Sequence, residues 1–548
     1  MNAAAFTEMV TRARQRWEQR QNPGKPLVLV NLGTSALFAG ARRVKAAFAD
    51  ACREAGVEVE FRPVGGFGFS FLEPQLDIIK PGRPRIMYGP LTPETARELV
   101  FSYLVNDDPR PDLAFVVFGD QPFRGIPCTA EHPLFTKQVR LTMRLAGTVQ
   151  PDDIDDYLAN DGYAGLARAL TMDPSEVIEW VTKSGLRGCG GAAFPTGVKW
   201  NFNRAPAPEK YFLCNADEGN AGTFKDRLLM EGTPHQLVEG MIIGAYAQRI
   251  PYGYIYIRDE YPLATHLVSR AIEQAYGYGL LGENILGSGF SFHLGVKEGA
   301  GSYLCGEESA MIASVEGSRG MPRARPPFPA QAGAWLKPTT VNNVETICNV
   351  PNIIRNGWEA YAAIGTEKSK GVRVLTLSGA CSRPGGYEVP FGMTFRELIV
   401  ELAGGDPAQI KAVQMGGPAT DIRPLAYILD LPIALDELRP KDTGIGSGGF
   451  VLIPHSTSIP ELVKYLCEFL RDESCGKCFP CRYGTQRQYE LMDWITRGNG
   501  SPLDLRELEK LFPTLQFGSL CGHGQVAHQP VKYALLHFRD EFERLLTR

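Results

Sequence analysis

The chain has 548 residues, 44% hydrophobic and 22% charged. That is an ordinary composition for a soluble globular protein with real cores, and at roughly 100–200 residues per domain it predicts about three to five domains. The formal net charge of -4 supplies no basic field, which argues against a nucleic-acid partner. No stretch approaches the roughly 20 apolar residues of a membrane helix, so no membrane span is expected. Met1 to Gln21 lacks an apolar core followed by a small-residue cleavage site, so a secretory leader is not expected either. The expected location is cytoplasmic.

The N-terminal run interleaves Arg and Glu with Phe6, Met9, Val10 and Trp17, the pattern of an amphipathic helix. Glu8 and Glu18 argue against a transit peptide. Residues 26–32 form an apolar strand, and a helical run follows to about Gly56. Strands are expected at 57–61 and 85–88 and a helix at 93–104. This order predicts a thioredoxin-like α/β unit over 1–125. Residues 120–133 are irregular and Pro-rich, and 134–172 look helical with Asp152 and Asp153 as N-caps. We read 126–176 as a helical linker.

Strands at 210–215, 252–258 and 290–296 then alternate with helices at 234–248 and 261–277. Over 177–366 this implies a sheet covered by helices, with binding loops at strand ends. Residues 367–454 change character to an alternating strand at 372–379, a turn at 383–386 and one helix through Leu402. A small β-rich insert is expected there. Residues 455–548 read as helices at 459–472, 485–497, 504–511 and 530–546.

Several segments carry chemistry. Gly188, Gly190 and Gly191 precede Phe194 and Lys199. Glycines let a backbone approach a phosphate with its N–H groups free, and Lys199 adds positive charge. A tight structural turn would read the same way. Asn215, Asp217 and Glu218 follow a predicted strand, where polar groups reach a flavin ring edge or a ribose hydroxyl. Residues 299–308 are glycine-rich, with Tyr303 and Gly306 before Glu307 and Glu308. Carboxylates there accept from ribose hydroxyls and repel a 2′-phosphate, although acids at a solvated helix start look alike. Arg323, Arg325 and Phe328 sit in a stiff loop that either covers a ligand or connects elements. Asn342 and Asn343 are expected in a short loop, which turn chemistry alone would explain.

Twelve cysteines are present. Eight are scattered and read as small buried apolar residues; Cys189 stands out because it lies inside the glycine loop. Cys475, Cys478 and Cys481 follow a Cys-x2-Cys-x2-Cys spacing, with Cys521 a distant fourth. Three such thiolates wrap three corners of a cubane and the fourth closes it. Zinc is the rival, but its sites usually pair two Cys-x-x-Cys knuckles. His523 reads as a neighbour that tunes the cluster, not a ligand.

Together these residues resemble the family of NADH/FMN-binding (diaphorase) subunits of complex I and of soluble NAD-linked formate dehydrogenases and hydrogenases. The matching segments are 185–200, 215–227, 299–308, 337–346, 473–482 and 519–521. The resemblance covers about 156–548. It implies a multidomain α/β chain: a degenerate thioredoxin-like domain, a Rossmann-like FMN/NAD domain, a β-grasp insert and a C-terminal helical bundle with a [4Fe-4S] cluster. It implies an FMN site around Gly188, Gly190, Lys199, Asn215, Asp217, Asn342 and Asn343. It makes Phe194, Phe202 and Phe328 the aromatic walls for NAD, and Glu308 the carboxylate that favours NAD over NADP. The four cysteines become cluster ligands.

Departures from the family pattern are informative. Cys189 stands where the family has Arg, Ala193 where it has Gly, and Asn220-Ala221 where it has an acid and a proline. The lost carboxylate lies near the expected NADH position. The thioredoxin-like module of many relatives holds a [2Fe-2S] cluster, but its four cysteine positions are Asn31, Ala36, Gly66 and Ser70 here.

The resemblance implies hydride transfer between NAD(H) and FMN and single-electron transfer to the cluster. The finer likeness, in Leu72-Glu73-Pro74, 87–90 and Met230-Glu231-Gly232, is to the beta subunit of soluble NAD-dependent formate dehydrogenase. Expected partners are a [2Fe-2S] thioredoxin-like subunit and a catalytic iron–sulfur subunit of molybdenum or tungsten formate dehydrogenase type. The rivals are a hydrogenase diaphorase, an FMN/cluster scaffold without NAD, and a zinc-bound assembly subunit. Iron analysis of the purified chain should give about four atoms per chain, the content of one cubane; about six would place a second cluster in the N-terminal unit.

Overall fold

The structure, a computed structural model, describes residues 3–21 and 24–547. Met1 and Asn2, part of the expected first helix, lie outside the described residues. Helix Ala3–Gln21 packs its Phe6, Met9, Val10 and Trp17 face on the large central core.

The first unit is a five-stranded sheet. Its strands are β1 (Leu27–Asn31), β2 (Glu60–Val64), β3 (Leu76–Ile79), β4 (Arg85–Tyr88) and β5 (Ala114–Val117), in the order β2-β1-β3-β4-β5. Only β1 and β2 run parallel. The helical run breaks at Gly40 into Thr34–Ala39 and Ala41–Ala55, and Val44, Phe48, Ala51 and Cys52 of the second helix are buried. The sequence reading places β1 and β4 correctly, sets β2 three residues early and misses β3 and β5. Both missed strands have four residues, and β3 contains a buried Asp77 that accepts from Arg85 Nε at 2.8 Å. An acid in so short a strand erases the apolar pattern. The expected helix at 93–104 is α-helical only over Pro93–Leu99, and Val100–Val105 winds as a π-helix.

The linker is less helical than expected: 138–152 is mostly turns, before short helices Ile154–Ala159 and Ala164–Ala169 and helix Pro174–Lys183. Two buried carboxylates tie it down. Glu239 accepts from the Tyr157 hydroxyl at 2.6 Å and from the Tyr163 and Leu166 N–H groups at 3.0 Å. Glu388 accepts from the Leu141, Thr142 and Met143 N–H groups and the Thr142 hydroxyl, all within 2.9 Å.

The central sheet is entirely parallel: β6 (Tyr211–Ala216), β7 (Tyr252–Ile257), β8 (His293–Glu298) and β9 (Thr339–Asn343), in the order β8-β7-β6-β9. Parallel sheets need helical crossovers and bury both faces. Helix Pro234–Gln248 supplies much of the cover and is buried on every side except Tyr246. β9 corrects the sequence reading, because Asn342 and Asn343 end a strand and do not lie in a free loop.

The insert contains β10 (Val372–Gly379), β11 (Gly385–Pro390), β12 (Ile410–Met415), β13 (Ile422–Pro424) and β14 (Gly449–Pro454). Their order is β11-β10-β14-β12-β13, with β10 and β14 parallel and the other pairs antiparallel. One helical segment, Glu397–Leu402, packs its buried residues on this sheet, which gives the β-grasp arrangement. The C-terminal helices are Ile459–Asp472, Phe479–Thr496, Pro502–Gly518, Gly522–Val526 and Gln529–Glu543. They share a core with Ala412, Ile422 and Ile453 of the insert. Among the described residues no helix is long and apolar enough to cross a membrane.

Glu388 receives four hydrogen bonds while fully buried, and bonds to a buried charge are worth about 1.5–3 kcal/mol each. Glu388→Ala should therefore cost about 3 kcal/mol or more, read as a lower melting temperature and as faster limited proteolysis at 138–146.

Candidate functional site

Four polar segments lie at the carboxyl ends of the parallel strands: residues 215–219 at the end of β6, 258–261 after β7, 299–308 after β8 and 343–346 at the end of β9. Chain order runs outward from β6 to β8 and then returns to β9 on the other side of β6. Between β6 and β9 lies the switch point, where open α/β sheets bind ligands. The register there sets Cys214 beside Asn342 and Asn215 beside Asn343.

The glycine loop covers this crevice. It is pinched shut by Gly188 N–H to Phe194 O at 2.8 Å and Thr196 N–H to Leu186 O at 2.9 Å. A Cβ on Gly190 would meet the Asn343 Cβ at 3.2 Å, so only glycine allows that approach without displacing the asparagine. Helix Thr196–Phe202 follows, and its Trp200 Nε1 donates to Asn342 Oδ1 at 2.8 Å. Cys189 is buried. Its N–H donates to Thr346 Oγ1 at 2.8 Å, and its carbonyl accepts from Arg373 at 3.1 Å. Burial pushes its thiol up to about 12.

Beneath the loop lies a buried charge network that the sequence reading passed over. Lys225 Nζ is 2.7 Å from Asp226 Oδ1 and 3.1 Å from Glu345 Oε2. It also donates to Asn343 Oδ1 at 3.2 Å, and Asn343 Nδ2 donates to Asp226 Oδ2 at 2.6 Å. Arg373 Nε approaches Glu345 at 3.5 Å. Charges this deep are tolerated because each is paired. The signal was available, since Lys225, Asp226 and Glu345 all stand in the matching segments.

The remaining carboxylates differ in what engages them. Glu218 accepts from the Asp226 and Arg227 N–H groups at 3.0 and 3.1 Å and from the Tyr261 hydroxyl at 3.1 Å. It holds the first turn of helix Lys225–Gly232, so the structure gives it a capping task where the sequence reading expected a ring or ribose contact. Glu307 caps helix Glu308–Val315 through the Ser309 and Ala310 N–H groups, both at 2.9 Å. Glu308 pairs with Lys199 and Arg325, each at 3.0 Å. Lys199, expected to face a phosphate, thus faces a carboxylate here. Asp217 differs from all of these: its Oδ2 is buried without a partner, and burial pushes its carboxyl up to about 7.

Three aromatic side chains stand open around this crevice. Phe194 is 46% exposed, Phe202 63% and Phe328 53%. The Phe194 and Phe202 rings are 6.2 Å apart, and Arg325 brings the loop carrying Phe328 to Glu308. Exposed aromatics beside a polar crevice mark a binding surface.

Cys475, Cys478, Cys481 and Cys521 line one cavity with Leu304, Pro322, Lys477, Leu520 and His523. Cys478 precedes helix Phe479–Thr496, Cys481 lies in its first turn, and Cys521 precedes helix Gly522–Val526. Cys478, Cys481 and Cys521 therefore sit at helix starts, and Cys475 lies in the loop before them. Among the described residues no three His, Cys, Asp or Glu side chains converge on a single ion; the four thiols ring a cavity instead. His523 lines that cavity and turns its Nε2 to the Leu470 carbonyl at 2.9 Å.

One short turn joins the two places. In Tyr303–Gly306, Leu304 forms a wall of the cysteine cavity, and the Tyr303 ring lies 5.8 Å from that of His523. Three residues on, the Gly306 carbonyl accepts from Asn215 Nδ2 at 2.8 Å. A Cβ on Gly219 would meet Tyr303 Cα at 3.1 Å, so the two loops are in backbone contact.

The residues fit the groups that this arrangement implies. Four thiols around one cavity are the donor set of an iron–sulfur cubane. A glycine-rimmed crevice at a switch point, with an unpartnered buried carboxyl oxygen, suits a nucleotide with ring N–H donors.

The comparisons agree. A family model described as the Nuo51 FMN-binding domain matches residues 181–352, and one described as the NADH-ubiquinone oxidoreductase-F iron-sulfur binding region matches 461–545. Over 411 residues the chain is 47% identical to NADP-reducing hydrogenase subunit HndC of Solidesulfovibrio fructosivorans, spanning 74% of this chain and 83% of that one. It is 46% identical over 411 residues to the F subunit of NADH-quinone oxidoreductase from Escherichia coli (strain K12), spanning 74% and 92%. A chain of an NAD+-reducing [NiFe]-hydrogenase in the H2-reduced state superposes with a TM-score of 0.68 at 28% identity, over 95% of this chain and 84% of that one. Fold and site together define a flavin- and iron–sulfur-dependent oxidoreductase subunit. The chain belongs to the family of NADH/FMN-binding diaphorase subunits, and its cofactors are FMN, NAD(H) and a [4Fe-4S] cluster.

Because its raised pKa leaves almost no thiolate at pH 8, Cys189 in the folded protein should resist iodoacetamide at that pH and react only after denaturation. Peptide mapping checks this.

Proposed function

We propose that the glycine loop with Asn215, Asp217, Asn342 and Asn343 holds the flavin, and that Phe194, Phe202, Phe328 and the Glu307-Glu308 pair receive the dinucleotide. Cys475, Cys478, Cys481 and Cys521 hold the cluster. The observation that carries this reading is the Tyr303–Gly306 turn, which touches both the crevice and the cysteine cavity. Bound FMN supplies the step from two-electron hydride chemistry to one-electron transfer. The chain's own contribution is placement. The Lys225–Asp226–Glu345 network fixes Asn343, and Trp200 fixes Asn342.

Lys199 and Arg325 neutralise Glu308 until a ligand competes for it. A carboxylate there accepts from ribose hydroxyls and disfavours a 2′-phosphate, which supports NAD over NADP. We further propose that the chain serves a multisubunit complex, of NAD-linked formate dehydrogenase type, with a [2Fe-2S] thioredoxin-like subunit and a molybdenum or tungsten catalytic subunit. Support for the formate assignment is the likeness at 72–74, 87–90 and 230–232. The named relatives are hydrogenase and quinone-oxidoreductase subunits, so a hydrogenase diaphorase is the nearest alternative.

The rival reading, a flavin and cluster scaffold without NAD, rests on one departure. Asn220, in place of the family's acid, donates to Ser447 Oγ of the insert at 2.9 Å, so no free carboxylate stands at that point.

Rapid mixing with NADH separates the readings. Flavin bleaching followed by cluster reduction is expected, and no bleaching at millimolar NADH would establish the scaffold. Cys521→Ala should abolish the cluster absorption yet keep the bleaching. A molybdenum or tungsten partner on co-purification supports the formate complex, and a nickel–iron partner replaces it with the hydrogenase one.

A further inference from the structure

Oxidising NADH yields NAD+, two electrons and one proton in total. An iron–sulfur cluster accepts electrons one at a time and takes no proton in that exchange. One proton per NADH must therefore leave the flavin crevice by another route, and a carboxylate with a free oxygen is the simplest acceptor.

The carboxylates near the crevice can be sorted by what holds them. Glu218 caps a helix through both oxygens. Asp226 and Glu345 are paired with Lys225, and Glu308 is paired with Lys199 and Arg325. Glu345 Oε2 also accepts no hydrogen bond but is ion-paired with Lys225 at 3.1 Å, whereas the buried Asp217 Oδ2 has neither. Asp217 sits two residues past Asn215, whose Oδ1 accepts the Asp217 N–H at 3.1 Å, and beside Gly306, where a Cβ would lie 3.5 Å from the Asp217 carbonyl.

We propose that the Asp217 carboxylate accepts the proton released when the flavin gives its electrons to the cluster, and passes it to solvent beside the exposed Asp259, since neighbouring Glu260 is held ionised by Arg258. This rests on the functional reading above. The step balances: an N–H bond at the flavin breaks, an O–H bond forms at Oδ2, and the two electrons go singly to the cluster.

The surroundings suit an acceptor that must also let go. Arg258 draws the carboxyl's pKa down, whereas burial and the negative charges of Glu260, Glu473 and Asp259 raise it. The nearby Tyr256, Tyr303 and Cys305 all have raised pKa values and stay neutral. The outcome, about 7, lies where a group both takes and releases protons at neutral pH. An exit is at hand, because a Cβ on Gly301 would meet Asp259 Oδ1 at 2.9 Å and Glu260 Oε1 at 3.4 Å, so these acids close over the same loop.

Reduction-induced infrared difference spectroscopy of the holoenzyme, poised electrochemically and without NADH, tests this. A protonation-linked carboxyl band should change between the reduced and oxidised states, vanish in Asp217→Asn and shift in Asp217→Glu. Flavin-to-cluster electron transfer should have an inflection near pH 7 that Asp217→Asn loses. An unchanged band in both variants, or no carboxyl band in the wild type, overturns the proposal. Should Asp217→Asn fail to retain flavin, the wild type and Asp217→Glu decide: an unshifted band overturns it. Because the electrode replaces NADH, a failure of the dinucleotide reading appears separately, as absent bleaching in the mixing experiment.

Discussion

The site depends on the pairing of β6 with β9. Parallel register places Asn215 beside Asn343 and opens a crevice at the point where chain order reverses. The pairing alone would leave polar groups buried at the strand ends. Lys225, Asp226 and Glu345 satisfy them, and Arg373 adds a second cation from the insert. A charge network so deep is costly to assemble and more costly to break, because removing one member leaves the others unpaired. It therefore fixes one geometry for the strand ends, and the glycine loop packs against that geometry.

The flanking units are fastened to this centre by buried acids. Glu388 of β11 gathers the linker backbone, and Glu239 of helix Pro234–Gln248 gathers the two short linker helices. Glu231, at the end of helix Lys225–Gly232, accepts from the Thr34 N–H of the N-terminal unit at 2.8 Å. Each carboxylate collects donors from a segment distant in sequence, which turns irregular chain into a fixed connection. At the N-terminal unit the four positions that the resemblance led us to compare, Asn31, Ala36, Gly66 and Ser70, carry no thiol. Asn31 instead donates to Glu73 at 3.0 Å, and Gly65 lies so close to Gly232 that a Cβ would meet its Cα at 2.5 Å. That corner is a packed contact with the central domain.

The departures from the family pattern also have structural homes. Cys189 is buried under the loop and anchored through its backbone to Thr346 and Arg373. Ala193 adopts a positive φ of 52°, a conformation that costs a residue with a Cβ about 1–2 kcal/mol and that glycine adopts freely. Asn220 exchanges a charge for a hydrogen bond to the insert, so the insert's loop becomes part of the crevice wall.

By itself the sequence determined what local spacing can encode. The Cys-x2-Cys-x2-Cys run, the glycine loop and the strand-then-polar segments were all legible, because each is a contiguous pattern with its own chemistry. So were the alternating α/β centre, the helical C-terminus and the absence of thiols at Asn31, Ala36, Gly66 and Ser70. Short strands were legible unevenly: the four apolar-leaning residues of β4 were found, whereas buried Asp77 interrupts β3, β5 went unread, and β9 was hidden by its two asparagines. Only the tertiary structure decided the strand orders, the meeting of residues 303–306 with both sites, and which acids are free. Asp217 and Glu218 are adjacent in sequence and alike in chemistry. One is left unpartnered and the other is taken up by a helix start, because that choice depends on donors brought from elsewhere in the fold.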